Sequence, residues 1–283
     1  MQAEELLKAG DLDGTLEALQ AAVRGDASNP ALRIFLFQLL SVRGDWKRAI
    51  TQLKVSAEMD PMATPMAQTY REGIVCEVYR EKVFAGEKDP LIFGEPQEWI
   101  AMMLEALKAN AAGEPEKAAQ ARAKAFDMAP TTSGTLDGAA FEWIADADMR
   151  LGPLLEVIIN GKYYWMPFTA LKSIEFEDPA DLRDAVWTPC TITLVNGGDM
   201  VALIPTRYAG TLPDGSDAEK LARATNFVDL GAETFAGVGQ RILATDLGDS
   251  SLMDVRKIEL DNALVEDDDA AASSDGTPDE GEG

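Results

Sequence analysis

The chain has 283 residues, 46% of them hydrophobic, a formal net charge of −24 and no histidine. That length supports one large domain or two ordinary ones around a real core. The charge excludes nucleic acid and anionic membrane as natural partners, because phosphates would be repelled, and the missing histidine removes His-based triads, Cys–His dyads and most zinc sites.

The N-terminus, MQAEELLKAGDLDG, is acidic and amphipathic and lacks the basic region and long apolar stretch of a signal peptide. No run of 18 apolar residues occurs anywhere, so a cytoplasmic protein without membrane insertion is expected. Residues 1–135 then read as a helical repeat domain. Gly10-Asp11, Gly44-Asp45 and Gly113-Glu114 each follow an apolar helical run and precede an Ala-rich one. The first two glycines lie 34 residues apart and the third 69 further on, about two periods. Each unit ends at a proline: Pro30, Pro61 and Pro130. A period of 34 with a mid-repeat glycine and a terminal proline marks tetratricopeptide-type helix pairs. About six helices in a short stack are expected. Leu36, Leu40, Trp46, Ala49, Leu53 and Ala57 form the inward face of the middle unit. The third unit departs from the pattern, with Arg122 where a large apolar residue is usual. A longer helix after Pro61 keeps Met66, Tyr70, Ile74 and Val78 at a spacing of four, with Val75, Tyr79 and Val83 beside them.

Residues 136–148 read as one more helix, bridging the halves, with Phe141, Trp143, Ile144 and Ala147 apolar. After it the period changes. Residues 154–159 and 162–168 flank Asn160-Gly161, and residues 191–195 and 200–205 flank Asn196-Gly197; both are hairpin signals. Later strands are expected at 238–245 and 252–258, a short helix or turn at 179–186, and a helix or irregular cover at 221–227. The fold class is therefore α+β: a tetratricopeptide-like helical stack, then a small, mostly antiparallel β domain with one or two helices over residues 136–260. Residues 261–283 carry nine acids, no base and almost no large apolar side chain, leaving −15 on the rest of the chain. Such a segment reads as a disordered acidic tail.

No arrangement in the chain signals catalysis, a cofactor or a metal. Cys76 and Cys190 lie in apolar patterns and read as buried free thiols. Asp146 and Asp148, on a helix, would point apart, so a cap or a bridge to Arg150 is the simpler role. Asn196-Gly-Gly-Asp199 lacks the lysine and helix of a phosphate loop. What remains is a set of residue types enriched at binding hot spots, close to turns: Trp165, Arg183, Trp187, Arg207, Tyr208 and Arg241. They are candidate partner contacts, against the alternatives that the tryptophans are core and that Arg183 and Asp184 form an internal ion pair.

The runs LGPLLEVIINGKYYWMPF, PADLRDAVW, NGGDMVALIPTRY, GQRILATDLGD and LMDVRKIEL, in this order, resemble the ImpE/TagJ family of accessory proteins of bacterial type VI secretion systems. The likeness reaches from the repeat-like half to about residue 260. It implies a cytoplasmic, non-enzymatic adaptor that binds the N-terminal helix of the small contractile-sheath subunit. It also implies a link to the AAA+ ATPase that disassembles the sheath. The alternative reading, built on the helical repeats, is a generic peptide-binding tetratricopeptide-type helper or chaperone.

Overall fold

The computed structural model describes residues 1–95 and 97–263. Two helix pairs open the chain: α1 (Gln2–Ala9) with α2 (Leu12–Gly25), and α3 (Pro30–Val42) with α4 (Trp46–Met59). Their starts follow from local chemistry. Asp11 and Asp45 each accept a backbone N–H of the helix they precede, and Asn29 does so for α3, whose first residue is Pro30. Gly44 turns the second pair at φ +73, and a Cβ there would meet Leu212 Cδ1 at 2.7 Å. Left-handed backbone and close approach together require glycine.

A 3-10 turn at Pro61–Ala63 leads into α5 (Thr64–Phe84), followed by the two-residue strand β1 (Leu91–Ile92). The third pair is α6 (Glu98–Ala111) and α7 (Pro115–Met128). The helical half thus holds seven α-helices among the described residues, one more than expected, because the shortened first unit still forms both of its helices. The burial of α5 also differs from its apolar spacing. Val75 and Val78 are exposed, while Tyr70, Ile74, Glu77 and Arg80 face inward. The helix turns a charged pair, not Val75 and Val78, toward the rest of the protein.

The helix expected over residues 136–148 is absent. In its place stand three short strands, β2 (Gly134–Leu136), β3 (Ala139–Phe141) and β4 (Ile144–Asp146). Asp137 and Gly138 both adopt positive φ and fold β2 back on β3, which no helix accommodates. The apolar residues in this segment are compatible with both periods, and the turn decides between them.

The remaining strands are β5 (Leu154–Ile159), β6 (Lys162–Pro167), β7 (Leu171–Phe176), β8 (Trp187–Leu194) and β9 (Asp199–Pro205). Two four-residue helices, α8 (Thr211–Asp214) and α9 (Asp217–Lys220), precede β10 (Thr225–Asp229), β11 (Phe235–Gly239), β12 (Ile242–Thr245), β13 (Gly248–Ser251) and β14 (Lys257–Leu260). The strand β10 overlaps the end of residues 221–227, the segment expected to be a helix or irregular cover. The main sheet has the order β1-β6-β5-β9-β8-β7-β14-β2-β3 and is antiparallel except where β1 meets β6. A three-stranded sheet, β13-β12-β4, and the separate hairpin β10-β11 complete the half. The β5–β6 hairpin turns at Asn160-Gly161, φ +50 and +69, as its sequence predicts.

All six residues of β5 are buried, so this strand is covered on both faces. Leu154 and Ile158 join the core built by α3, α5 and α6. Leu155, Val157 and Ile159 join a second core with Ile174, Ile192, Leu243 and Ile258. The first core runs without interruption from the helices into the sheet, through Tyr70, Trp187 and Trp165. No helix among the described residues is long and apolar enough to cross a membrane. The Asn262 side-chain amide donates to the Phe168 and Leu171 carbonyls at 2.9 and 2.7 Å. Most of the expected acidic tail, residues 264–283, lies outside the described residues.

Candidate functional site

One charge stands in the middle of the doubly buried strand: Glu156 of β5, fully buried between Leu155 and Val157. A carboxylate there requires cations, and two elements supply them. From α5, Arg80 gives a bidentate pair, Nε to Oε1 at 2.6 Å and Nη2 to Oε2 at 2.7 Å. From the turn before β12, Arg241 donates to Glu156 and to Asp146. Tyr163 donates its hydroxyl to Glu156 and accepts the Trp165 indole N–H at 2.7 Å. Arg80 also reaches the Arg207 carbonyl at 2.8 Å and Glu77 at 3.3 Å. Asp148 holds Arg150 through two oxygens, and Arg150 in turn lies over the Phe84 ring at 4.7 Å.

Four arginines (80, 150, 207 and 241) face four carboxylates (Glu77, Asp146, Asp148 and Glu156), so the cluster is neutral although it is buried. Burial alone would raise the Glu156 carboxyl, but Arg80 and Arg241 hold it down at about 2. Burial pushes Asp146 up to about 6, against the pull of Arg241, with Asp148 adding to the rise. Burial lowers Arg207 to about 10, with Glu77 opposing. These shifts set a pH dependence with two signs. Asp146 is raised in the fold, so its protonation stabilises the fold as pH falls from above 6 toward 3.8. Glu156 is depressed, so its stabilisation is complete above 4.5 and is lost as pH falls through 2. Asp146 alone should therefore add about 2 kcal/mol at pH 4 relative to pH 7, offset in part by Glu156, whose contribution begins to fall below 4.5. Asp146→Asn should abolish this gain, as read by urea unfolding at both pH values; an unchanged slope would rule it out.

The sequence candidates fall inside this arrangement and beside it. Trp165, Trp187 and Arg241 have no exposed surface, and Arg207 and Tyr208 are buried. They are therefore core groups joining the halves and present little or no contact surface, which corrects the expectation of direct contact for these five. Trp187 packs on Trp46 and Tyr70 at 6.1 and 5.5 Å between ring centroids. Tyr208 lies under the Arg241 guanidinium at 5.2 Å. Arg183 is half-buried over the Tyr70 ring and pairs with Asp181 at 2.7 Å, not with Asp184, which instead accepts the Ala180 and Asp181 N–H groups. Asp148 makes the bridge to Arg150 that its spacing suggested, although from a turn and not a helix.

Glu77, Arg80 and Glu156 were missed in the sequence. The available signal was Glu156 itself, the one charge in LLEVII, with Glu77 and Arg80 three apart on a helix whose neighbours Tyr70 and Ile74 are apolar.

Beside the network a cleft of about 700 Å³ opens between the halves, lined among others by Arg43, Trp46, Glu81, Phe84, Arg207 and Leu212. Its chemistry is that of a held structure. The arginines on its floor are committed to carboxylates and carbonyls. The thiols offer no nucleophile: burial pushes Cys76 up to about 12 and raises Cys190 further. Among the described residues no group of three or more acidic or cysteine side chains is placed to hold a metal ion.

Residues 138–259 match the ImpE protein family, and residues 6–69 match a tetratricopeptide repeat. The chain is 52% identical over 261 residues, 92% of both chains, to the type VI secretion system accessory component TagJ of Pseudomonas aeruginosa. Its fold is also that of protein VPA1032 from Vibrio parahaemolyticus, whose crystal structure superposes with a TM-score of 0.84 at 22% identity, over 92% of this chain and 97% of that one. The ImpE match covers Glu156 on β5 and Arg241 before β12, and the 52% identity extends over both halves; the chain therefore belongs to the ImpE/TagJ family of type VI secretion system accessory proteins.

Proposed function

We propose that this protein is a cytoplasmic, non-enzymatic adaptor of a type VI secretion system. In this reading it binds the N-terminal helix of the small contractile-sheath subunit and links it to the AAA+ ATPase that recycles the sheath. The observation that carries the reading is the 52% identity to an accessory component of such a system over nearly the whole of both chains. Two features support it. The charged groups at the junction of the halves are spent on each other, which suits a rigid binding body more than a reaction centre. The first core is continuous across the junction, so the helical repeat works as part of a larger surface and not as a free peptide clamp.

A labelled peptide of the first ~20 residues of the cognate sheath subunit, about a 30 Å helix, should bind saturably in fluorescence anisotropy and gain helicity on mixing. Affinity should fall several-fold as salt rises from about 50 to 300 mM, since an acidic protein steers a basic helix through screened charge. Absence of binding at high protein concentration would refute the assignment of this partner.

A further inference from the structure

An exposed apolar surface that shares no lining residue with the cleft crosses the seam of the two halves. Phe126 and Met128 at the end of α7, Trp143 in the β3–β4 turn, Phe235 at the start of β11 and Leu247 in the β12–β13 turn are each 38–61% exposed. Met128 follows Phe126 by two residues, and the other four are linked through Met149 and the β4–β12 pairing. Phe126, Trp143 and Met149 line one hollow of about 250 Å³. The Met149 N–H donates to the Phe235 carbonyl at 3.1 Å. Ile144 pairs with Thr245, which sets Trp143 opposite Asp246, next to Leu247. Large exposed apolar groups gathered from four elements mark an interaction surface. Trp, Phe and Met are also the types that dominate binding energy and adapt to a partner's shape.

The charges flanking these residues are mostly acidic, with Lys124 before Phe126 the exception. Asp127 stands between Phe126 and Met128, Glu142 precedes Trp143, Glu233 lies two before Phe235, and Asp246 precedes Leu247; all four are exposed. An apolar strip with an acidic rim complements an amphipathic helix whose apolar stripe is flanked by Lys and Arg. The chain's own residues 264–283 carry eight acids and no base, so they do not complement that rim. In an isologous contact a second copy would bring the same acids to face it.

We propose that this surface is the docking site for a basic amphipathic helix, with one large apolar side chain seated in the hollow between Phe126, Trp143 and Met149. The identity of the helix as the sheath segment rests on the function proposed above; the chemistry of the surface does not.

Two probes separate these claims: an 18-residue Leu/Lys amphipathic peptide with its Leu/Glu counterpart, and the sheath peptide. The full chain should bind the Leu/Lys helix and not the Leu/Glu one. Trp143→Ala should weaken binding at least tenfold, and Glu142→Lys with Glu233→Lys should weaken it about fivefold. Trp143, Glu142 and Glu233 lie on the surface, so these variants should keep the wild-type melting curve. The assignment is overturned if the Leu/Lys helix does not bind, if Trp143→Ala binds it as wild type does, or if both peptides bind alike. It is also overturned if sedimentation shows a dimer that Trp143→Ala dissolves and no helix displaces. Leu/Lys binding with the expected losses but no sheath binding upholds the surface and removes the sheath as its partner. Sheath binding untouched by Trp143→Ala does the reverse.

Discussion

Glu156→Gln should destabilise the protein by roughly 3–5 kcal/mol, the usual cost of leaving a buried charge without its partner. The side chain changes by one atom and keeps its shape, so packing contributes almost nothing to this loss. What changes is the balance of the cluster. Glu156 is, among the described residues, the only carboxylate bonded to both Arg80 and Arg241, and neither guanidinium has solvent to turn to. Asp146 still serves Arg241, but Arg80 is left with Glu77 at 3.3 Å and a carbonyl. The double variant Glu156→Gln/Arg80→Gln should be more stable than the sum of the single losses predicts, by at least 1 kcal/mol, because it removes the orphaned cation together with its partner. Urea or thermal unfolding of the four proteins closes the cycle. A loss under 1 kcal/mol for Glu156→Gln would show that the network contributes little, and strict additivity would show that Arg80 does not depend on Glu156.

An apolar triad in the same place would avoid the desolvation cost, and a buried ion network is by itself weak grounds for stability. Its distinguishing property is direction. Arg80 comes from the helical stack, Glu156 from the middle of β5, Arg241 from the turn before β12, and Asp146 from β4 of the smaller sheet. A bidentate guanidinium–carboxylate pair fixes orientation as well as distance, so α5 has one way to lie on β5. The consequence reaches the surface. The proposed docking strip draws Phe126 and Met128 from the helical half and Trp143, Met149, Phe235 and Leu247 from the other. A strip divided in this way keeps one shape only while the halves keep one register.

The parts of this design that can be read from sequence are those governed by local rules. The 34-residue spacing, the Gly44 turn and the Asn160-Gly161 hairpin are all decided by neighbours along the chain, and the structure carries each of them. The bridging helix failed because Phe141, Trp143 and Ile144 fit either period, and the deciding feature was a two-residue turn at Asp137-Gly138 that is weak in isolation. The ion network was hidden for a different reason. Arg80 and Glu156 are 76 residues apart, and Arg241 lies 85 from Glu156; no local rule says which of 25 cations meets which of 49 acids. Residue type at turns pointed to Arg207, Tyr208 and Arg241, and the fold used them, but inward. Trp143 was assigned to the face of a helix that does not form, so its exposure emerged only with the strands.

Arg207→Met should cost roughly 2–4 kcal/mol and, more tellingly, should uncouple the halves. Arg207 sits in the bend after β9 and donates to the Val42 carbonyl at 2.7 Å, the Ser41 carbonyl at 3.5 Å and the Lys220 carbonyl at 2.6 Å. The first two belong to the last turn of α3, whose carbonyls have no partner within the helix. A cation from the β domain thus caps a helix of the repeat stack, where the helix dipole favours positive charge. Methionine fills similar volume but leaves the Val42 and Lys220 carbonyls without their donor, at about 1–3 kcal/mol for each group that water cannot reach, while Ser41 keeps the Gly44 N–H at 3.1 Å. Arg207→Lys, with one ammonium for three acceptors, should restore only part of the loss. Amide exchange should speed first in the last turn of α3 and in residues 216–222, well before the β5–β6 hairpin. Partner binding should weaken because the docking strip spans the joint, although Arg207 itself touches no partner. If exchange rose evenly across the molecule, the role of Arg207 would be general packing and not the coupling of repeat to sheet.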